Sequence, residues 1–541
     1  MTRTIFSGCA ALVAFLLAAG LINHGLVDST LPVGPGLTLD ESFNIQQGVY
    51  LVDALGQHGP LLLTPSVAKD VFGTQRYLPD HPPLGRILLG LSHQFTAWLI
   101  PGSESTAYNV PAARLGSCFA FAVTVFLIAE FCRTRYGTVT GLCAAVMFIG
   151  MPNVIGHARL AALESATNLA WVAAMLPLLI WWTKEKPPTM VQALVSGLLW
   201  GMLLLTKVQG IFLPVIVFMW AVWQFRWQAI RPLAIYGITG AVVFFAGWPW
   251  LWLDPVNHVL RYLGRTTDRP TLYCWYFGQR YADKAVPWHF PFVMTLLTLP
   301  AWTMMGLVLR LARARFDRAE QLLLLCILFP LTVFAVPGVP VYDGTRLFLI
   351  VMPSLAILAG RGFELWMLSG RTARAASTSN MIVRPDWQQA VCWAVISIMP
   401  LFWILQPLAI SQYGVLAGGN RGAAWLGMEA SYWSDALNSD FWKQVPEGSA
   451  LLVAPVSHQF QLSDIEALVP IVQQRRIRLT AFAYDPAVQT GDLLLIHRLA
   501  DLRPELAVTP RDATVIAKAS HAGVTYARVI DKLPDSKPQS D

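Results

Sequence analysis

Long uncharged apolar runs alternate with short polar segments along most of the chain. A membrane-crossing helix needs about 20 apolar residues. Eleven runs approach that length: 4–27, 115–129, 137–156, 165–183, 187–206, 208–225, 232–253, 290–309, 322–341, 347–360 and 387–410, the shorter ones borrowing flanking residues. A twelfth stretch, 84–100, is apolar but carries Arg86 and His93. The pattern predicts an all-α polytopic membrane protein with about eleven transmembrane helices plus interfacial helices. The last 130 or so residues read differently. Short apolar runs at 450–454 and 492–496, flanked by polar turns, have the length of buried strands.

Basic residues orient this pattern. The loops 133–135, 184–186, 226–231, 310–318 and 361–384 are rich in Lys and Arg and are cytoplasmic by the positive-inside rule. The segments 152–164, the break at Lys207, 254–289 and 337–346 then lie outside. Arg3 holds the first span's start inside, so 28–110 forms a first outer loop, and 84–100 lies on or dips into the outer face without crossing. The expected organisation is a membrane domain at 1–410, a small extracytoplasmic α/β domain at 411–533 and a disordered tail at 534–541. The N-terminus reads as an uncleaved first span in preference to a signal peptide. No 20–50-residue repeat stands out, nor matched broken segments of the inverted-repeat transporter kind.

Composition agrees. The 541 residues are 55% hydrophobic and 13% charged, against about 25% charged in soluble domains, and the mean hydropathy is +0.50. The net charge of +7 is carried largely by the orienting loops, which argues against a nucleic-acid surface. The seven cysteines are scattered, without zinc or disulfide spacing. There is no Asn-x-Ser/Thr site.

The remaining polar residues gather on the outer face: Asp40, Glu41, His81, Arg86, Arg114, His157, Arg159, Glu164, Lys207, Asp254, Tyr342, Asp343 and Arg346. The adjacent carboxylates Asp40 and Glu41 are costly to hold beside a membrane. Carboxylates mixed with cations at a lipid face suit one chemistry. A lipid-phosphate leaving group needs cations, and a hydroxyl nucleophile needs a general base. No P-loop, His-Glu-x-x-His or Gly-x-Ser-x-Gly is present. Trp248-Pro-Trp250-Leu-Trp252 fits an interfacial aromatic belt or a wall for a polyprenyl chain or sugar. Tyr342-Asp-Gly-Thr-Arg346 fits either a helix cap through Asp343 or a phosphate ligand through Arg346.

Taken in order, Asp40-Glu41, His81-Pro-Pro-Leu-Gly-Arg86, Arg114-Leu, His157-Ala-Arg-Leu…Glu164, Leu205-Thr-Lys207, Trp248–Trp252, Val286-Pro-Trp-His289, Asp343-Gly-Thr-Arg-Leu347 and the stretch from Gly418 to Trp433 resemble a known pattern. It is that of the GT-C membrane glycosyltransferases of the dolichyl-phosphate-mannose protein mannosyltransferase type, including the bacterial aminoarabinose transferases of lipid A. The resemblance implies an inverting transfer of a sugar from a polyprenyl-phosphate donor to a hydroxyl acceptor (lipid, glycan or protein) at the outer face of an inner (plasma) membrane. It implies Asp40 as general base or acceptor-orienting group, Glu41 as its neighbour, Glu164 at the second acidic position and Arg114 near the lipid phosphate. Lys207 and Arg346 are phosphate contacts from orientation as much as from resemblance. Arg86 joins that donor-binding group, and His81, His157, Arg159, Trp252, Tyr342 and Asp343 border the cavity. No cofactor is required by the sequence; some relatives of this kind hold a divalent ion near the site, and no ligand spacing here demands one. The large lumenal repeats of the eukaryotic protein mannosyltransferases are missing from the pattern. The alternative function is a transporter or flippase of lipid-linked glycans, and a third is a non-catalytic scaffold.

Overall fold

A computed structural model describes residues 2–24, 33–100, 107–264, 270–313, 315–377, 408–456, 458–482, 491–507 and 513–531. The helices, in chain order, are α1 (Thr2–Gly20), α2 (Glu41–His58), α3 (Pro65–Phe72), α4 (Pro83–Thr96), α5 (Val110–Arg135), α6 (Thr138–Ile149), α7 (Pro152–Ala158), α8 (Leu163–Pro177, continuing to Trp182), α9 (Met190–Leu204), α10 (Phe212–Phe225), α11 (Ile230–Gly247), α12 (Trp250–Leu253), α13 (Pro255–Gly264), α14 (Phe290–Thr298), α15 (Ala301–Leu311), α16 (Arg318–Ala335) and α17 (Met352–Ser377). Among the described residues, five helical segments are long and apolar enough to cross a membrane, or up to seven if each of two bent pairs is one span. The expected run 187–206 is α9, of 15 residues, and most of 387–410 lies outside the described residues.

The bent pairs are where an apolar run is continuous and the helix is not. The run 290–309 reads as one span, yet α14 and α15 meet at 113° across Leu299-Pro300. Likewise α6 and α7 meet at 71° before Pro152. Proline fits the first turn of a helix and stops the preceding one, because it lacks the N–H and clashes with the turn before it.

Helix α5 is central, packed by α1, α4, α6 and α8, while α17 lies against α6, α15 and α16. Helix α4 crosses α2 at glycines: a Cβ on Gly90 would sit 2.1 Å from the Gly48 carbonyl oxygen, and one on Gly48 would sit 2.5 Å from that of Arg86. Only backbones without side chains approach so closely. This seam holds the start of α2, and with it Asp40 and Glu41, against the bundle. At the opposite end of the bundle Arg310 is bidentate to Glu320, 2.5 Å to each oxygen, with both side chains buried.

Two strands, β1 (Tyr273–Tyr276) and β2 (Gln279–Ala282), form a hairpin in the loop before α14. The C-terminal region holds a five-stranded sheet of β3 (Ala450–Ala454), β4 (Arg478–Ala481), β5 (Asp492–Ile496), β6 (Val515–His521) and β7 (Val524–Ile530), in the order β4-β3-β5-β7-β6. Strand β3 runs parallel to β4 and β5, and β7 antiparallel to β5 and β6. The runs 450–454 and 492–496 are thus central strands, β3 with its last four residues buried and β5 likewise, as fully covered parallel strands require. The crossover helix Gln459–Leu468 rests on α2. Ser42 donates to Asp464 at 2.6 Å, Phe43 meets Phe460 edge to face, and Ile45 and Leu89 share a buried core with Trp442 and Ile465.

Candidate active site

The two first-loop carboxylates part company at the start of α2. Glu41 is fully buried. Its Oε1 accepts from Arg114 Nε at 2.8 Å and from the Ala161 amide at 2.6 Å. Its Oε2 accepts from Arg114 Nη2 at 2.8 Å and from Thr38, amide at 2.8 Å and hydroxyl at 3.1 Å. Arg114, buried on α5, also donates to the carbonyls of Pro35 and Gly36 at 2.9 and 2.7 Å. Its fork is committed to protein acceptors. Arg86 is committed in the same way, bidentate to Asp80 at 2.6 and 3.0 Å and bonded to Asn44 and the Leu78 carbonyl. Of the expected phosphate-binding cations, these two are spent inside the fold.

Asp40 occupies the N-cap position of α2 but makes no cap with its side chain. Its carboxylate instead meets Arg346 Nη2 at 2.7 Å, with the Asp40 side chain 40% exposed. Arg346 has three carboxylate partners: Nε reaches Glu164 Oε1 at 2.8 Å and Nη1 reaches Asp343 at 3.0 Å. Its guanidinium lies over the Trp433 ring, 4.2 Å from the centroid. Lys207 shares Glu164 Oε1 at 2.7 Å. Glu164 Oε2 is buried without a hydrogen bond. Arg498 completes the set, bonding Asp343 at 2.9 Å, Asp501 at 2.7 Å and the Tyr432 carbonyl at 2.7 Å. Asp40, Glu164 and Asp343 therefore face Lys207, Arg346 and Arg498.

Each member comes from the end of an element. Lys207 sits in an extended kink between α9 and α10, and the Leu205 carbonyl of that kink accepts from Leu84 at the start of α4 at 3.0 Å. Glu164 is in the first turn of α8. Asp343 and Gly344 are both left-handed, with φ of 54° and 60°. Asp tolerates that conformation; at Gly344 a Cβ would also sit 2.8 Å from the Tyr432 ring. This turn aims Asp343 between two arginines and is pinned by Asn153 Nδ2 to Thr345 Oγ1 at 2.7 Å.

The remaining expected residues spread around this cluster. His157 bonds the Asn153 carbonyl through Nδ1 at 2.6 Å and meets Trp433 edge to face. With Asn153, Asp343, Thr345, Arg346 and Trp433 it lines a small cavity. Tyr342 adjoins Asp343 and acts electrostatically on Arg346. Burial pushes His81 down to about 4; the cations of Arg86, Lys207 and Arg346 act the same way, against Asp80. His81 is therefore neutral at neutral pH. Trp252 donates to the Phe245 carbonyl at 2.7 Å and packs in a separate aromatic cluster with Trp248. Arg159 faces another cavity. Arg498 and Trp433 were not singled out as site residues. Trp433 ends the stretch from Gly418 that forms part of the resemblance, whereas Arg498 follows β5 with no local signature.

A divalent ion would need gathered carboxylate or imidazole ligands. Among the described residues no three His, Cys, Asp or Glu gather in that way, and the cluster's carboxylates already face Arg and Lys. The residues do not fit a metal.

Residues 80–252 match the family model described as dolichyl-phosphate-mannose-protein mannosyltransferase. A search of curated proteins by sequence finds no match. Among solved structures, ArnT from Cupriavidus metallidurans bound to undecaprenyl phosphate aligns at 13% identity over 97% of both chains, with a TM-score of 0.51. Its apo state aligns at 13% identity over 97% of both, with a TM-score of 0.50. The apo Archaeoglobus fulgidus oligosaccharyltransferase aligns at 12% identity over 90% of this chain and 65% of its own, with a TM-score of 0.45.

Proposed function

We propose that this multi-pass membrane protein, a chain with the GT-C glycosyltransferase fold, transfers a sugar from a polyprenyl-phosphate donor to a hydroxyl acceptor at the outer face of the membrane. The observation that carries the reading is the Asp40–Arg346–Glu164–Lys207 cluster. In it two carboxylates, one of them half-exposed, and two cations, drawn from four separate elements, meet at the ends of membrane helices. The match at 80–252 spans the segment that holds Arg114, Glu164 and Lys207, and the ArnT structure of similar fold was solved with undecaprenyl phosphate.

The charges order the steps. The donor phosphate brings negative charge to a site where three carboxylates already face three cations. It is accommodated where Arg346 releases Asp40, the most exposed of the partners. Lys207 has one protein bond and Arg346 a planar fork, so both can turn N–H groups onto phosphate oxygens. Asp40, freed, takes the proton of the acceptor hydroxyl. That oxygen bonds to the anomeric carbon as the bond from this carbon to the phosphate oxygen breaks. The electron pair leaves on the phosphate, whose developing charge Lys207 and Arg346 stabilise. Attack opposite the leaving group inverts the anomeric centre. Glu164 holds the two cations together through Oε1, and its orphaned Oε2 is an acceptor for a sugar hydroxyl. Glu41 and Arg114 position the loop behind Asp40 and touch no substrate.

Mass spectrometry of envelope lipids, glycans and proteins from a deletion strain and its parent tests the reading. One sugar mass is expected to disappear from one acceptor class, to return with the wild-type gene, and to stay absent with Asp40→Asn at equal membrane level. Return of that mass with Asp40→Asn overturns the role of Asp40, and unchanged spectra on deletion overturn the transferase reading.

A further inference from the structure

Arg159 is the one buried arginine of the outer face whose side chain has no hydrogen bond or ion pair among the described residues. It is 2% exposed, and its Nε is an orphaned donor. Burying a guanidinium without an acceptor is costly, so such a group is usually met by a carboxylate, a carbonyl or a ligand. Asp435 acts on it electrostatically but lies outside ion-pair distance, fully buried and with both carboxylate oxygens unbonded. Burial raises Asp435 to about 7, so its charge offsets that of Arg159 only in part at neutral pH.

Arg159 lines a cavity of about 360 Å³, open to solvent, between the bundle and the C-terminal sheet. Across the cavity stand Lys518 and His521 of β6, with Asn438 and Gln444 as neutral hydrogen-bonding groups. Asp440 is the acid on the wall, but it is 63% exposed and pairs with Lys443 at 3.7 Å. The Lys518 amide donates to Gln444 at 3.1 Å, which fixes β6 against the cavity wall, and its side chain is exposed at the rim. A buried fork, a point charge and neutral polar groups around open space are the donor set that phosphate oxygens require. The cavity shares no lining residue with the small cavity around Arg346. One loop joins the two regions: Arg159 lines this cavity, and two residues on the Ala161 amide holds Glu41.

We propose that the cavity between Arg159 and Lys518 binds a phosphate monoester, separately from the Lys207–Arg346 cluster. The same chemistry is offered by a lipid headgroup and by a soluble phosphoryl group. The full-length protein in phosphatidylcholine nanodiscs, titrated with inorganic phosphate and, separately, prepared with increasing phosphatidic acid, distinguishes them through the midpoint of thermal unfolding. At least one probe is expected to raise the midpoint saturably. Lys518→Glu, a change at an exposed side chain, should weaken that response at least tenfold. Arg159→Lys, which keeps the charge but loses the fork, should weaken it less. Lys207→Ala should leave a saturable response in place. A response to phosphatidic acid alone assigns the site to a headgroup, and a response to inorganic phosphate alone to a soluble group. Absence of a saturable shift with both probes overturns the proposal, as does a response untouched by Lys518→Glu or abolished by Lys207→Ala.

Discussion

Asp40 and Glu41 are consecutive carboxylates at one helix start, and their surroundings are opposite. Glu41 receives five hydrogen bonds and is fully buried. Asp40 has one ion pair and keeps 40% of its side chain exposed. Successive helical residues point about 100° apart, so one turns into the α5 wall and the other towards Arg346. On the proposed function, identical chemistry thus divides into a clamp and a reagent. A carboxylate whose lone pairs are filled by the fold cannot take up a proton or a ligand without breaking that fold. One that is half wet and singly paired can.

The largest expected effects break the clamp. Glu41→Gln or Arg114→Ala leaves a buried charge without its partner, which costs about 3–5 kcal/mol. Either variant should lower the unfolding midpoint sharply and reduce the protein recovered from membranes. Asp40→Asn should change stability by less than about 1 kcal/mol, as half-exposed pairs do. If Glu41→Gln melted like the wild type, the division into clamp and reagent would be wrong.

The next effects sharpen the reagent side. Lys207→Ala should lower kcat by about 10²–10³-fold, the scale for losing one donor at a developing oxyanion. Arg346→Lys keeps the charge but cannot hold Asp40, Glu164 and Asp343 at once, and should lower kcat by a similar factor. Initial rates with the polyprenyl-phosphate sugar identified by mass spectrometry provide the measurement. A change confined to KM would move both residues from leaving-group stabilisation to ground-state binding.

Much of this contrast was visible in the chain, and some was not. The Asp40-Glu41 doublet, the kink at Lys207 and the Tyr342–Arg346 turn stood out because charge beside apolar runs is rare. Strands β3 and β5 showed as short apolar runs. Which cation serves which carboxylate did not show. Arg114 lies 73 residues from Glu41 and Arg498 lies 155 from Asp343, and no local pattern encodes such pairings. Arg86, Arg114, Lys207 and Arg346 look alike as letters; only burial and the acceptors around them separate two spent arginines from two cations at an open carboxylate. The fold of α14 on α15 was hidden for another reason: Pro300 marks a stop, but the 113° angle is set by packing.

The smallest effect concerns carboxylates behind the cluster. Burial raises Glu429 to about 7, partly opposed by the amides of Ala500 and Leu499 and by Arg498, and raises Asp435 to about 7. Both groups ionise near 4 when unfolded. Between about pH 4 and pH 7 the folded chain therefore holds protons that the unfolded chain has released, and stability falls as pH rises through that window before levelling off. Glu429 is held by the two amides at 2.8 and 2.9 Å, beside the arginine that reaches Asp343. Glu429→Gln keeps an acceptor for one amide and removes the titration. It should flatten the midpoint between pH 5 and pH 8 while leaving Asp40-dependent turnover in place. A slope unchanged in both Glu429→Gln and Asp435→Asn would assign the pH response to other groups and detach the sheet side of the site from it.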